Sequence, residues 1–478
     1  MPTAALWTFD SPWQLAAVLF AALGEVLALV FVYRVLVRGG SPASTMLWMA
    51  VILLAPWVGL LLYYLLPRRL QLRRLRRLRG RGPELRQRRS RAGLGPPASS
   101  FGLRGLLANE SIGLEVGNEV DWLPGGAEFL RAAAAAIDAA QNSVHCVVYI
   151  FRPDPAGLRF LGLLTAAARR GVAVRLLYDS LGSFGLKAAH LAELRAAGGR
   201  AEAFLPLLWK RRPFTVNLRN HRKLLVVDGA VAFVGGRNVG DEYFTDRLGR
   251  ARQWLDAMVA VRGPVVARLH EVFVEDWYTA ADEVLPELPS PPALGRAAAA
   301  VVCSGPDREV SGLWYALIQA IGEARRSIEL CSPYLVPPPM LLFALQLAAA
   351  RGVRVRVHTN GPKTEAAVLY HAQRSYYRRL LDCGIEIFET VDDYSHSKLL
   401  LVDDRVVMVG SANLDLRSAS LNFELGVVVV DAGLLATQIR TTLEQRAARF
   451  RRLTADDLPR APFWRAVDGF CALLSPLL

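Results

Sequence analysis

One pattern occurs twice in this chain, in register, and it restricts the fold more than any other feature. In the first copy a helical run ending Ala136-Ile137-Asp138-Ala139-Ala140-Gln141-Asn142-Ser143 leads into Val144-His145-Cys146-Val147-Val148-Tyr149-Ile150. An alanine-rich segment and Arg170-Gly171-Val172-Ala173-Val174-Arg175-Leu176-Leu177 follow. In the second copy Ala320-Ile321-Gly322-Glu323-Ala324-Arg325-Arg326-Ser327 leads into Ile328-Glu329-Leu330-Cys331, another alanine-rich segment and Arg351-Gly352-Val353-Arg354-Val355-Arg356-Val357. Short β-branched strands alternating with helices predict an α/β fold. The duplication predicts two similar domains, each a mixed sheet covered by helices, facing each other across a pseudo-twofold axis.

Each copy carries the spacing His-x-Lys-x4-Asp. His221, Lys223 and Asp228 sit in Asn220-His221-Arg222-Lys223-Leu224-Leu225-Val226-Val227-Asp228. His396, Lys398 and Asp403 sit in Ser395-His396-Ser397-Lys398-Leu399-Leu400-Leu401-Val402-Asp403, and Asn238 and Asn413 follow at matched distances. Lysine is rare here, only Lys187, Lys210, Lys223, Lys363 and Lys398, so a motif that keeps one in both copies stands out. Residues i and i+2 of a strand share a face, so each histidine projects with its lysine.

Two such strands meeting at an interface would present two imidazoles and two ammonium groups to one phosphodiester. The lysines would neutralise its oxygens and the asparagines would donate further hydrogen bonds. One neutral histidine can attack phosphorus while the other, protonated, supplies the leaving alcohol. Each imidazole needs a carboxylate to fix its tautomer, and Asp256 and Glu424, each just before an apolar strand, are the candidates. Asp256 lies farther from the histidine of its own half than Glu424 does. Asp228 and Asp403 end the motif strands, where they would fix the following turn. The remaining histidines, His145, His190, His270, His358 and His371, have no such company, and nothing pairs them into a metal site.

Ahead of the duplication lie two apolar stretches, 15–33 and 46–66, and the mean hydropathy is +0.25. Each is long enough to cross a hydrocarbon core as a helix, so a transmembrane hairpin is expected over 1–67. Residues 68–91 then hold twelve arginines and one acid, most of the net charge of +14. That block is expected in the cytoplasm, next to anionic lipid. The expected organisation continues as an arginine-rich juxtamembrane segment and linker over 68–110, a first domain over 111–285, a linker over 286–300 and a second domain over 301–478. Outside the arginine block the charge is nearly balanced, which argues against an extended nucleic-acid groove.

From about residue 112 to the C-terminus the chain resembles the phospholipase D superfamily, whose signature is the duplicated motif. The expected N-terminal spans, with Ser332-Pro333-Tyr334-Leu335-Val336-Pro337-Pro338, Gly410-Ser411-Ala412-Asn413-Leu414-Asp415-Leu416-Arg417-Ser418 and the ending Ser475-Pro476-Leu477-Leu478, are similar to the bacterial cardiolipin synthases. The resemblance implies phosphatidyl transfer between two phosphatidylglycerol molecules, releasing glycerol through a phosphohistidine, with no metal and no cofactor. It implies a catalytic set of His221, Lys223, Asp228, His396, Lys398 and Asp403, with Asn238 and Asn413 holding phosphate. Which histidine attacks stays open.

The alternatives are a membrane-bound phospholipase D hydrolase or a related phosphatidyltransferase with another donor or acceptor, phosphatidylethanolamine among them. The expected partners are an anionic phospholipid substrate and the membrane, with no nucleic acid. The oligomeric state stays open, a homodimer among the options. The expected location is the bacterial inner membrane, multi-pass, with catalytic domains and N-terminus cytoplasmic.

Overall fold

The computed structural model describes residues 11–38, 42–65, 102–108, 113–206, 218–244, 254–286, 288–308, 311–363, 367–458 and 461–474. The arginine block 68–91, most of the linker after it and the ending 475–478 lie outside the described residues. The chain divides into two compact units, Met1–Arg74 and Leu75–Leu478.

In the N-terminal unit one helix, Pro12–Arg38, is 27 residues long and apolar enough to cross a membrane. The expected second span is not one helix. It is broken into Pro42–Leu54 and Pro56–Leu65, because Pro56 has no N–H to continue the ladder. The chain turns sharply there: a Cβ on Gly59 would stand 2.6 Å from the Cα of Ile52. The two short helices pack on the long one through Ala28, Phe31, Val35, Ile52, Leu60 and Tyr63. Among the described residues a single helix meets the crossing length, so the expected two-span hairpin is corrected to one apolar helix and a folded-back pair.

The second unit is built on one mixed sheet. Its first-half strands are β1 (Leu114–Leu123), β2 (Ser143–Val148), β3 (Ala173–Asp179), β4 (Arg200–Phe204), β5 (Leu224–Val227), β6 (Val231–Gly235), β7 (Trp254–Leu255) and β8 (Met258–Arg262). The second half supplies β9 (Ala297–Ser304), β10 (Ser327–Cys331), β11 (Arg354–Thr359), β12 (Glu386–Thr390), β13 (Tyr394–Ser395), β14 (Leu399–Val402), β15 (Val406–Gly410), β16 (Glu424–Val430) and β17 (Phe450–Arg452). Fifteen of these run in the order β17-β12-β11-β10-β14-β15-β16-β9-β1-β8-β6-β5-β2-β3-β4, while β7 and β13 pair separately. Read outward from the antiparallel β1–β9 junction, β8-β6-β5-β2-β3-β4 on one side matches β16-β15-β14-β10-β11-β12 on the other.

The central strands are apolar throughout because both faces are covered, and their residues alternate between two cores. In β9, Ala299, Val301 and Cys303 join the core built on helices Val265–Ala281 and Gly433–Gln445. Their neighbours Ala298, Ala300 and Val302 join the one built on helix Gly312–Glu323. In the first half, helices Gly126–Ala139 and Pro155–Arg169 close the face opposite Val265–Ala281 around Phe129, Phe160, Phe233 and Phe244.

Asp228 and Asp403 both sit at φ +53°, in the turns after β5 and β14. The Asp228 carboxylate accepts from the backbone N–H groups of Gln141, Asn142 and Ser143 at 2.7–2.8 Å. Asp403 accepts from those of Arg325, Arg326 and Ser327 at 2.7–2.9 Å. Each acid thus pins a motif strand to the start of the strand beside it. Among the described residues no hydrogen bond or ion pair joins either one to a motif histidine, and the contacts they do make are those that fix the turn.

Phe233, 1% exposed with its ring against Phe129, tests this packing. Phe233→Ala is expected to lower the unfolding free energy by about 3–5 kcal/mol, read as a drop in melting temperature of the detergent-solubilised protein. A loss below about 1 kcal/mol would show that the face is not packed as described.

Candidate active site

The two motifs are brought together by backbone pairing between the halves. Asn220 forms a parallel bridge with Phe423, and the His221 N–H donates to the Phe423 carbonyl at 3.0 Å. In the other half β13 pairs in parallel with β7, and the His396 N–H donates to the Leu255 carbonyl at 2.7 Å. Phe423 immediately precedes Glu424, and Leu255 immediately precedes Asp256. Stitching each motif to the segment leading into the opposite acid delivers that acid to the imidazole.

The pairing is therefore crossed. His221 Nδ1 lies 3.0 Å from both Glu424 carboxylate oxygens, and His396 Nδ1 lies 2.7 Å from Asp256 Oδ2. Asp256 and Glu424 do face the two histidines, but each serves the histidine of the other half. With Nδ1 committed to a carboxylate, Nε2 is left as the reactive nitrogen of each ring.

Buried polar groups hold the motif backbones. Asp179 accepts from the Asn220 N–H at 3.0 Å and pairs with Arg219 at 3.3 Å. Asp276 accepts from the Asn220 amide at 2.9 Å and from Arg222 at 2.6 Å. In the second half one amide does comparable work: Asn360 accepts from the Ser395 N–H at 2.7 Å and donates to the Ser395 carbonyl at 2.9 Å. The side chains of β5 and β14 point into the cores, which leaves the residues just before them to turn toward the site.

Lys223 and Lys398 donate to the carbonyls of their own histidines, at 2.6 and 2.5 Å, and both are buried. Asn238 is committed at both ends, accepting from the Ile150 N–H at 3.1 Å and donating to the Tyr243 hydroxyl at 2.9 Å. Asn413 is buried two residues after Ser411, its N–H donating to Ser418 Oγ at 3.2 Å.

The sequence alone did not point to several neighbours. The Tyr149 ring meets His221 edge-on at 4.8 Å and lies 5.4 Å from the Lys223 ammonium. Tyr243, Trp254 and Tyr394 surround His396 at 5.5, 5.6 and 6.3 Å. Ser411 and Ser418 donate to Glu424 at 2.5 and 2.8 Å, whereas Gly236, the counterpart of Ser411, packs so tightly that a Cβ would stand 2.2 Å from the Asp256 carboxylate. The Gly-Gly against Gly-Ser difference between the copies was the available signal.

Burial drives His221 down to about 4, partly offset by Glu424, and His396 down to about 3, with Lys398 adding to the effect. Burial would raise Glu424 and Asp256, but the facing histidines and lysines hold both below the ordinary range. Lys398 is lowered to about 8 by burial, against the attraction of Asp256 and Glu424, and Lys223 is lowered as well. The charge of Lys398 acts on His221 and that of Lys223 on His396, which places both motifs in one electrostatic site. Among the described residues no group of three or more His, Cys, Asp or Glu side chains is placed to hold a metal ion.

The fold and this paired-histidine site define a phospholipase-D-like protein. The family described as cardiolipin synthase, PLD-like domain, matches residues 134–277 and 317–447, and a phospholipase D-nuclease N-terminal family matches 26–66. A cardiolipin synthase of Geobacillus kaustophilus is 34% identical over 96% of this chain and 94% of its own length. The major cardiolipin synthase of Bacillus subtilis is 30% identical over 96% and 98%. The crystal structure of phosphatidylserine synthase from Haemophilus influenzae superposes with a TM-score of 0.59 at 15% identity, over 75% of this chain and 95% of that one, a likeness of fold. The chain belongs to the cardiolipin synthases, phosphatidyltransferases of the phospholipase D type.

The histidine shifts carry a signed expectation. Folded His221 holds a proton only below about 4, against 6.5 ordinarily, so between those values the unfolded chain binds more protons. Stability should therefore rise with pH across that window and fall as it is acidified. The melting temperature is expected to drop from pH 6.5 toward 4, and less steeply in a His221→Gln, His396→Gln variant. A melting temperature independent of pH there, or an equal slope in the variant, would contradict the buried neutral pair.

Proposed function

We propose that the protein transfers a phosphatidyl group from one phosphatidylglycerol to another, giving cardiolipin and glycerol. The observation that carries this is the crossed pair of histidine–carboxylate contacts, which gives a phosphodiester two oriented imidazoles within one buried site. One Nε2 attacks phosphorus, the bond from phosphorus to the glycerol oxygen breaks, and the other histidine gives that oxygen its proton. The acceptor's hydroxyl then attacks the phosphatidyl-histidine, returns a proton to the second histidine and displaces the first.

In the free site both imidazoles are neutral at pH 7. An entering phosphodiester anion favours protonation of one of them, so substrate binding and arming of the general acid are coupled. Lys223 and Lys398 exchange their carbonyl partners for phosphate oxygens, and Asn413 and the remaining amide N–H of Asn238 add hydrogen bonds. We read the two halves as a duplicated pair of phospholipase-D-like domains about a pseudo-twofold axis between β1 and β9. The apolar helix Pro12–Arg38 anchors the chain in the membrane that holds its substrate, and the arginine block places the catalytic unit on the cytoplasmic side.

Protein reconstituted in liposomes with phosphatidylglycerol as the only phospholipid is expected to yield cardiolipin and glycerol by mass spectrometry. His221→Ala and His396→Ala should each lower that rate on the order of a hundredfold or more. Phosphatidic acid as the product would show that water resolves the intermediate and that the protein is a hydrolase. No cardiolipin until phosphatidylethanolamine is added would show a different donor–acceptor pair.

A further inference from the structure

A cavity of about 220 Å³ lies beside the Asp256–His396 pair, lined by Arg237, Arg446, Arg449, Trp254 and Leu255 among others, and its lining contains no acidic residue. Arg237 is held there by the carbonyls of Pro124, Tyr243 and Asp256. Arg446 donates to the same Pro124 carbonyl at 2.8 Å and has no carboxylate within ion-pair distance among the described residues. Arg449 pairs with Asp393 at 2.7 Å. Burial, together with the nearby charge of Arg237, lowers Arg446 to about 10. Arg446 is partly buried, and the charge of Asp256 offsets only part of its loss of solvation; an anion in the cavity would add charge-assisted hydrogen bonds to it.

The cavity adjoins the chemistry through its own wall. The Trp254 ring, which lines it, lies 5.6 Å from the His396 ring. Leu255, which also lines it, accepts the His396 N–H at 2.7 Å. Cardiolipin carries two phosphodiesters joined by a single glycerol. When one phosphorus is at the histidines, the other must stand one glycerol bridge away.

The geometry points to this cavity as a second phosphate site, filled in turnover by the phosphodiester of the accepting lipid. This rests on the transfer reading above. The same chemistry would hold free inorganic phosphate, and the test separates the two sources. In the transfer reaction the acceptor brings a phosphate with it; in exchange of labelled glycerol into phosphatidylglycerol the acceptor is neutral and needs only the histidine site.

Both rates are to be measured on the reconstituted full chain and its Arg446→Gln and Arg446→Lys variants, with and without added inorganic phosphate. Arg446→Gln is expected to slow cardiolipin formation about tenfold, the effect of losing one charge-assisted hydrogen bond, while glycerol exchange stays near wild type and Arg446→Lys recovers part of the loss. If both rates without phosphate are unchanged but the variant loses a response to phosphate that the wild type shows, the site takes free phosphate and the lipid assignment is overturned. If both rates fall together in both variants, or if neither rate nor the phosphate response changes, Arg446 is a structural residue and the proposal is overturned. Failure of the transfer reading itself would show differently, as a wild type that makes no cardiolipin.

Discussion

The contact between each motif histidine and a carboxylate from the opposite half is the interaction on which the rest depends. Neither half holds a complete site: His221 needs Glu424, and His396 needs Asp256. The acids are fully buried, so an unpaired one would carry a large desolvation penalty, and removing one partner of such a pair typically costs about 3–5 kcal/mol. The same contacts that orient the imidazoles therefore hold the halves in register, together with the backbone bonds from His221 to Phe423 and from His396 to Leu255.

The two histidines are related in topology but differ in surroundings. Glu424 shares its charge with Ser411 and Ser418 as well as His221, while Asp256 receives the Ala257 N–H and His396. His396 is boxed by three aromatic rings, and His221 meets one. In a reaction in which one imidazole attacks and the other donates a proton, such a difference biases which ring holds the proton of the coupled pair. The motif lysines, Lys223 and Lys398, rest on motif carbonyls in the free site, where they depress the proton affinity of both rings.

Much of this was legible in the residues. The rarity of lysine made Lys223 and Lys398 conspicuous, and the doubled spacing pointed to both histidines. Asp256 and Glu424 were found from their place ahead of apolar strands, yet their exchange between halves was not, because linear spacing says nothing of which strand crosses to which. Asp228 and Asp403 belong to the repeated spacing for a structural reason: a left-handed turn and three backbone N–H groups apiece require a short carboxylate there. Hydropathy counted 46–66 as one span and could not see the reversal at Pro56, which depends on the close approach that Gly59 permits. Tyr149, Tyr243 and Trp254 reach the site from segments with no motif of their own, and only the fold brings them in.

The central claim is that the crossed pairs make one covalent site. It is tested most directly by reacting the protein with phosphatidylglycerol labelled in its phosphate, quenching in alkali and mapping the labelled peptide. The account predicts label on a single histidine, either His221 or His396, and far less in Glu424→Gln or Asp256→Asn, whichever acid faces the labelled ring. Label on neither histidine, or on another residue, would contradict it.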